Sequence, residues 1–196
     1  MQGIRQAIGG VGNLMFKQAF LWMLMREGAI PDIYVQGEKY WKKYSNEIKQ
    51  MFGHGIFPRS IDKVAIHIRR GDYLKASQFH VALWDTDYYK KAVAMFPGAL
   101  FLVFCKDNQE DGLDKADMKW TEEFMVDLGV QFQLHNHTTE TDDLNTMASC
   151  KSLIMANSTF SWWAAYLGGH GKVICPKSWF TDGEQRCELL PEWTLI

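Results

Sequence analysis

The feature that most restricts this chain is an alternation. Apolar runs of strand length take turns with longer stretches whose apolar residues recur at helical spacing. The strand-length runs are 63–68, 99–104, 130–134, 152–155 and 172–175, and the stretches 86–95, 118–128, 141–150 and 158–167 read as helices between them. Strands that are apolar throughout are buried on both faces. Strands alternating with helices therefore predict a parallel sheet with helices on either side. Right-handed crossovers make such a sheet Rossmann-like, and its ligands bind at the carboxyl ends of the strands. The expected fold class is α/β, built on a Rossmann-like parallel sheet.

The first 60 residues repeat the pattern in shortened form. A strand is expected at 4–8, a turn at Gly9-Gly10-Val11-Gly12-Asn13, a helix at 14–26 closed by Gly28, and a second strand at 32–35. A polar helix is expected over 38–52, with Tyr40, Trp41, Tyr44, Ile48 and Met51 on its buried side. The Gly- and Pro-containing loop 53–59 marks a boundary. The chain divides into 1–60 and 61–196.

Composition excludes several function classes. A formal charge of −2 over 196 residues argues against a bulk electrostatic grip on nucleic acid. The four cysteines, at 105, 150, 175 and 187, form no C-x-x-C pair, which argues against a zinc site and suits a reducing, cytoplasmic setting. The longest apolar stretch, 14–25, is interrupted by Lys17 and Gln18 and is shorter than the roughly 20 residues that span a bilayer. No signal peptide is read at the start of the sequence. Aromatics make up 14% of the residues, including eight Trp, which suits a large core and equally suits flat ligands such as sugars and bases.

Three segments can carry chemistry. In Gly9-Gly10-Val11-Gly12-Asn13, glycines before a helix let backbone amides approach a phosphate. The dinucleotide fingerprint fails because Met15 stands where a third glycine is needed, and no Gly-Lys-Ser/Thr follows for a phosphate-binding P-loop. A tight strand-to-helix turn capped by Asn13 accounts for the loop equally well. In His67-Ile68-Arg69-Arg70-Gly71-Asp72, strand alternation sends the two arginines in opposite directions. One can meet phosphate oxygens with its planar fork while the other pairs with Asp72; a structural ion-pair cluster is the alternative. In Ala156-Asn157-Ser158-Thr159-Phe160-Ser161-Trp162-Trp163, Asn157 or Ser158 caps a helix whose first amides and hydroxyls suit an anion, and the two Trp belong to the core. An arginine and a hydroxyl-rich helix start at strand ends of one sheet converge on a diphosphate. No D-x-D motif lies near them, so the arginines can replace a metal in neutralising a leaving nucleotide diphosphate.

Taken in order, Gly9-Gly10-Val11-Gly12-Asn13-Leu14-Met15-Phe16, His67-Ile68-Arg69-Arg70-Gly71-Asp72-Tyr73, the Ala156 to Trp163 segment and Pro176-Lys177-x-Trp179-Phe180 resemble the bacterial-type α-1,2-fucosyltransferases. The resemblance implies a GT-B-like arrangement with a reduced N-terminal, acceptor-side region at 1–60 and a nucleotide-sugar-binding domain at 61–196. It implies metal-independent, inverting transfer of L-fucose from GDP-fucose to a sugar hydroxyl, galactose in α-1,2 linkage. GDP-fucose is the donor substrate, and no cofactor is implied. Donor binding falls to Asn13, His67, Arg69, Asp107, Ser158, Thr159 and Phe160, with Arg69 on the β-phosphate and Asp107 on guanine. Arg69 and Asp72 are the catalytic candidates, Asp72 as the nearest carboxylate or as the group orienting Arg70. The partners implied are the nucleotide sugar and a glycan acceptor. Homo-oligomerisation and peripheral membrane contact stay open. The segment from Gly9 to His67 is short for such an acceptor-side domain, so a non-catalytic GDP-sugar- or carbohydrate-binding remnant is the competing expectation. A dinucleotide-dependent oxidoreductase is a third, resting on the strand-glycine-helix start alone.

Overall fold

The computed structural model describes residues 11–27, 36–105 and 113–196. The strands expected at 4–8 and 32–35, the first two glycines of the loop and Asp107 lie outside the described residues.

Six strands form one parallel sheet: β1 (Ile61–Ile68), β2 (Leu100–Cys105), β3 (Gln131–Leu134), β4 (Cys150–Ile154), β5 (Lys172–Cys175) and β6 (Thr194–Leu195). Their order is β3-β2-β1-β4-β5-β6. This is the doubly wound order, in which the chain reverses its direction of travel across the sheet beside the first strand. Here β1 pairs with β2 on one side, Val64 opposite Phe101, and with β4 on the other, Ala65 opposite Leu153. The strand β6 was not expected, because two residues carry no readable period.

The helices are α1 (Val11–Glu27), α2 (Ser45–Phe52), α3 (Tyr88–Ala94), α4 (Leu113–Asp127), α5 (Glu140–Ser149) and α6 (Thr159–Gly168). The period of two along β1 splits the core between the two faces of the sheet. Val64, Ile66 and Ile68 pack with Tyr89, Ala92 and Val93 of α3 and Met125 of α4. Ala65 packs on the other side with α1, α2, α5 and α6, whose members include Phe16, Ile48, Met147 and Trp163. The expected helices on both faces are present, and Trp162 and Trp163 are core residues with no exposed surface.

The expected helix over 38–52 is broken. Two 3-10 turns, Glu38–Tyr40 and Lys42–Tyr44, precede α2. Trp41 between them leaves helical geometry, at φ −136°. In doing so it reaches the core, where it stacks on Trp163 at 5.8 Å. The energy of burying an indole outweighs the few hydrogen bonds of a continuous helix. Met51, expected on the buried side, is 43% exposed. Phe52 instead packs on Trp163, at 5.2 Å. At the far end of α6, Gly169 takes the left-handed conformation (φ 57°) that closes a helix without a Cβ clash.

Candidate active site

Where strand order reverses, the loops leaving neighbouring strands diverge and open a crevice at their carboxyl ends. In this sheet that point lies between β1 and β4. The crevice is a cleft of about 510 Å³, lined by residues from the starts of α1 and α6 and the ends of β1, β2 and β4.

The parity of β1 continues past its last residue. His67 and Arg69 follow Ala65 onto the α6 side and line the cleft. Arg70 follows Ile66 and Ile68 to the other side. There its guanidinium pairs with Asp117 of α4 and lies over the Trp120 ring at 4.5 Å. The second Asp117 oxygen accepts from the Gly71 amide at 2.6 Å. The 3-10 turn Gly71–Lys75 then brings Asp72 back beneath Arg69, and the two pair at 2.8 Å. The expected divergence of the arginines holds, but the expected Arg70–Asp72 pair does not form. The turn returns Asp72 to the face that Arg70 has left. Asp117 went unnoticed in the sequence because it lies 47 residues from its partner on an ordinary amphipathic helix.

His67 forms part of the cleft floor and is 5% exposed. Burial, and secondarily the charge of Arg69, push its pKa down to about 3, although Asp143 acts in the opposite direction. The ring is therefore neutral at physiological pH. Its Nδ1 is buried without a hydrogen-bond partner among the described residues, and Tyr89 holds the backbone by donating to the His67 carbonyl at 2.8 Å.

The start of α6 and the first described turn of α1 meet at the cleft. Ser158 adopts an extended conformation before α6, and its Oγ accepts from the Phe160 amide at 3.3 Å. Thr159 and Phe160 form the first turn. A Cβ placed on Gly12 would lie 2.6 Å from the Thr159 carbonyl carbon and 2.7 Å from the Phe160 nitrogen. Glycine at position 12 is thus required by the approach of α6 to α1. The Trp163 indole donates to the Gly12 carbonyl at 3.0 Å and fixes that approach. Asn13 is not a cap. It sits inside the first described turn of α1, and its Oδ1 accepts from Gln36 Nε2 at 2.8 Å. Asn157 is not a cap either, since its side chain donates to the carbonyls of Val81 and Trp179.

Two walls complete the cleft, and neither was readable beforehand. On the β3 side, Asp143 of α5 accepts from His135 at 2.9 Å and pairs with His137 at 2.5 Å. Burial alone would raise the Asp143 pKa, but these two imidazoles hold it below the usual value. On the other side, Tyr73 stacks on His80 at 4.1 Å and His80 lies 5.4 Å from Phe180. Tyr73 was visible in its motif, whereas His80 is a lone histidine in a loop with no pattern around it. Among the described residues no cluster of three or more His, Cys, Asp or Glu is arranged to hold a metal. No helix among them is long and apolar enough to cross a membrane.

Of the expected site residues, the fold therefore brings Asn13, His67, Arg69, Asp72, Ser158, Thr159 and Phe160 to one cleft. The cleft thus joins the Arg69 guanidinium to the capped start of α6, groups whose chemistry suits an anion. The model of glycosyl transferase family 11 matches residues 34–196.

The chain belongs to glycosyl transferase family 11. Relatives agree with this. The O-antigen biosynthesis glycosyltransferase WbnK of Escherichia coli is 32% identical over 145 residues, which cover 70% of this chain and 46% of that protein. The alpha-1,2-colitosyltransferase of Escherichia coli is 27% identical over 173 residues, covering 76% and 55%. Galactoside alpha-(1,2)-fucosyltransferase 1 of Homo sapiens is 26% identical over 160 residues, covering 72% and 40%. The chain spans about half the length, or less, of these curated relatives. No solved structure matches it significantly. As a family 11 chain, it has its cleft where the doubly wound order predicts one.

Proposed function

We propose that this chain is a fucosyltransferase that moves L-fucose from GDP-fucose to a sugar hydroxyl, with inversion and without a metal. Galactose in α-1,2 linkage is the acceptor to try first. The observation that carries the reading is the convergence of Arg69 with the starts of α1 and α6 in one cleft. Family membership supplies the chemical class.

In this reading Arg69 and the amides and hydroxyls of Ser158, Thr159 and Phe160 hold the β-phosphate, and His67 and Asn13 border the nucleotide. Asp107 reads guanine. The acceptor oxygen attacks the anomeric carbon as the bond to the β-phosphate oxygen breaks, and GDP leaves with the electron pair. Arg69 and the helix start stabilise the charge that grows on the phosphate, a preorganised electrostatic effect. Asp72 holds Arg69 in place. The arrangement is GT-B-like, with residues 1–60 as the reduced acceptor-side region and 61–196 as the nucleotide-sugar domain.

The test has two parts. A thermal-shift panel of GDP, GDP-fucose, UDP and NAD should raise the melting temperature with the guanine ligands alone, because only a ligand that binds the native state stabilises it. Product analysis with galactosides should then show a fucosylated product. GDP-colitose is run beside GDP-fucose, since one relative is named for colitosyl transfer. Arg69→Ala should abolish transfer with the fold intact, and an active variant would overturn the assignment. Tight GDP binding with neither transfer nor donor hydrolysis would favour a nucleotide-sugar-binding remnant instead.

A further inference from the structure

A glycosyl acceptor must lose its hydroxyl proton as it attacks, and the donor-binding residues above do not supply a base. The carboxylates that line the cleft are poorly suited to the task. Asp72 is engaged by Arg69, and Asp143 is engaged by two histidines. Glu140 lies in the first turn of α5 and is exposed to solvent, and a well-hydrated carboxylate is a weak base. Among the histidines, His67 is sunk in the floor and His137 is bonded through Nδ1 to Asp143.

His80 differs from all of these. It lines the cleft, is half-buried, and makes no side-chain hydrogen bond among the described residues. Its ring lies between those of Tyr73 and Phe180, at 4.1 and 5.4 Å, so its plane is fixed. Its Nδ1 is buried without a partner among the described residues, so Nε2 is the nitrogen that would meet a group entering the cleft. The loop that carries it is anchored. Val81 and Thr181 bond across to Trp179 and Phe79, His80 bridges to Phe180, and Tyr73 donates to the Asn157 carbonyl at 2.9 Å. The Tyr73 ring is 5.7 Å from the Arg69 guanidinium carbon. One aromatic ring, that of Tyr73, therefore separates His80 from the group assigned to the β-phosphate.

From this geometry we infer that His80 is the general base, its Nε2 taking the acceptor proton as the new glycosidic bond forms and GDP departs. The inference rests on the transferase reading above. Several groups set its basicity. Burial lowers the imidazole pKa, the nearby Asp72 carboxylate opposes this, and Arg69 lowers it further. Arg186 lies over the Phe180 ring at 4.8 Å, and its charge is paired with Asp182 and Glu184 at 2.5 and 3.0 Å. His80 is therefore neutral and able to accept at pH 7. The imidazolium it becomes is stabilised by Asp72 and by two flanking π faces.

The test compares the wild-type chain with His80→Gln and His80→Ala. Donor affinity, read by calorimetry with GDP-fucose, should change by less than about two-fold. The turnover number should fall by about 10²- to 10⁴-fold, the usual contribution of a general base. The acid limb of the wild-type pH profile, lying below the ordinary histidine value, should vanish in His80→Gln, and added imidazole should partly rescue His80→Ala. Unchanged turnover, or a loss confined to donor affinity, would overturn the inference and leave the transferase reading standing. Should the variants misfold, a wild-type profile with no acid limb overturns it equally. A wild-type chain that binds GDP-fucose and transfers nothing overturns both.

Discussion

Replacing Gly12 by alanine tests the close approach of α1 to α6 at the candidate site. The added Cβ would sit 2.6 Å from the Thr159 carbonyl carbon and 2.7 Å from both the Phe160 nitrogen and the Thr159 Oγ1. The first two are backbone atoms, so no rotamer change relieves them, and α1 and α6 must move apart. Overpacking of this kind costs about 1–3 kcal/mol. Separation also stretches the 3.0 Å bond from the Trp163 indole to the Gly12 carbonyl, which contributes about 1 kcal/mol more. Alanine's better helix propensity returns at most about 1 kcal/mol, and less in a first turn. The net loss is about 2 kcal/mol. For a chain of this length that lowers the melting temperature by roughly 4–8 °C. Urea unfolding should show a reduced midpoint at an unchanged slope. Calorimetry should show GDP binding weakened as well, because the same displacement moves Thr159 and Phe160. A variant that melts with the wild type and binds GDP equally well would refute the helix approach.

Three further outcomes are expected. The pKa of His67 is about 3 folded and 6.5 unfolded, so the unfolded chain binds more protons between those values. Stability from this group is complete above pH 6.5 and declines as the pH falls towards 3, by at most about 5 kcal/mol. Urea titrations at pH 7.5 and 4.5 should show this, and His67→Gln should flatten the difference. Asp117→Asn removes the counter-charge of Arg70 and should cost about 2 kcal/mol or more by chemical unfolding, because it leaves a largely buried guanidinium without its anion. Ser158→Ala removes the cap of α6, costs about 1 kcal/mol in the same assay and weakens GDP binding measured by calorimetry.

Much of the site was legible because it sits at element ends. A strand that terminates in His67-Ile68-Arg69-Arg70 declares its own carboxyl edge, and Ser158 before an apolar helix declares a cap. Period two along β1 sufficed to separate Arg69 from Arg70. The partner of each arginine was not legible. Asp72 was expected beside Arg70, and only the 3-10 turn after Gly71 returns it to Arg69. The break at Trp41 was hidden for a similar reason. Local propensity favours a continuous helix there, and tertiary burial of the indole overrides it.

By itself the sequence determined five of the six strands, the helices on both faces of the sheet and the positions of the cation and the hydroxyl-rich helix start. These follow from periodicity and from local hydrogen bonding, which act over a few residues. Tertiary structure alone decided which distant groups meet. Gly12 lies against Thr159, Asp117 under Arg70, Asp143 between His135 and His137, and His80 between Tyr73 and Phe180. Such pairings are set by strand order and by how helices close over the sheet. No local pattern encodes them, because the energy that forms them is released only when the core assembles.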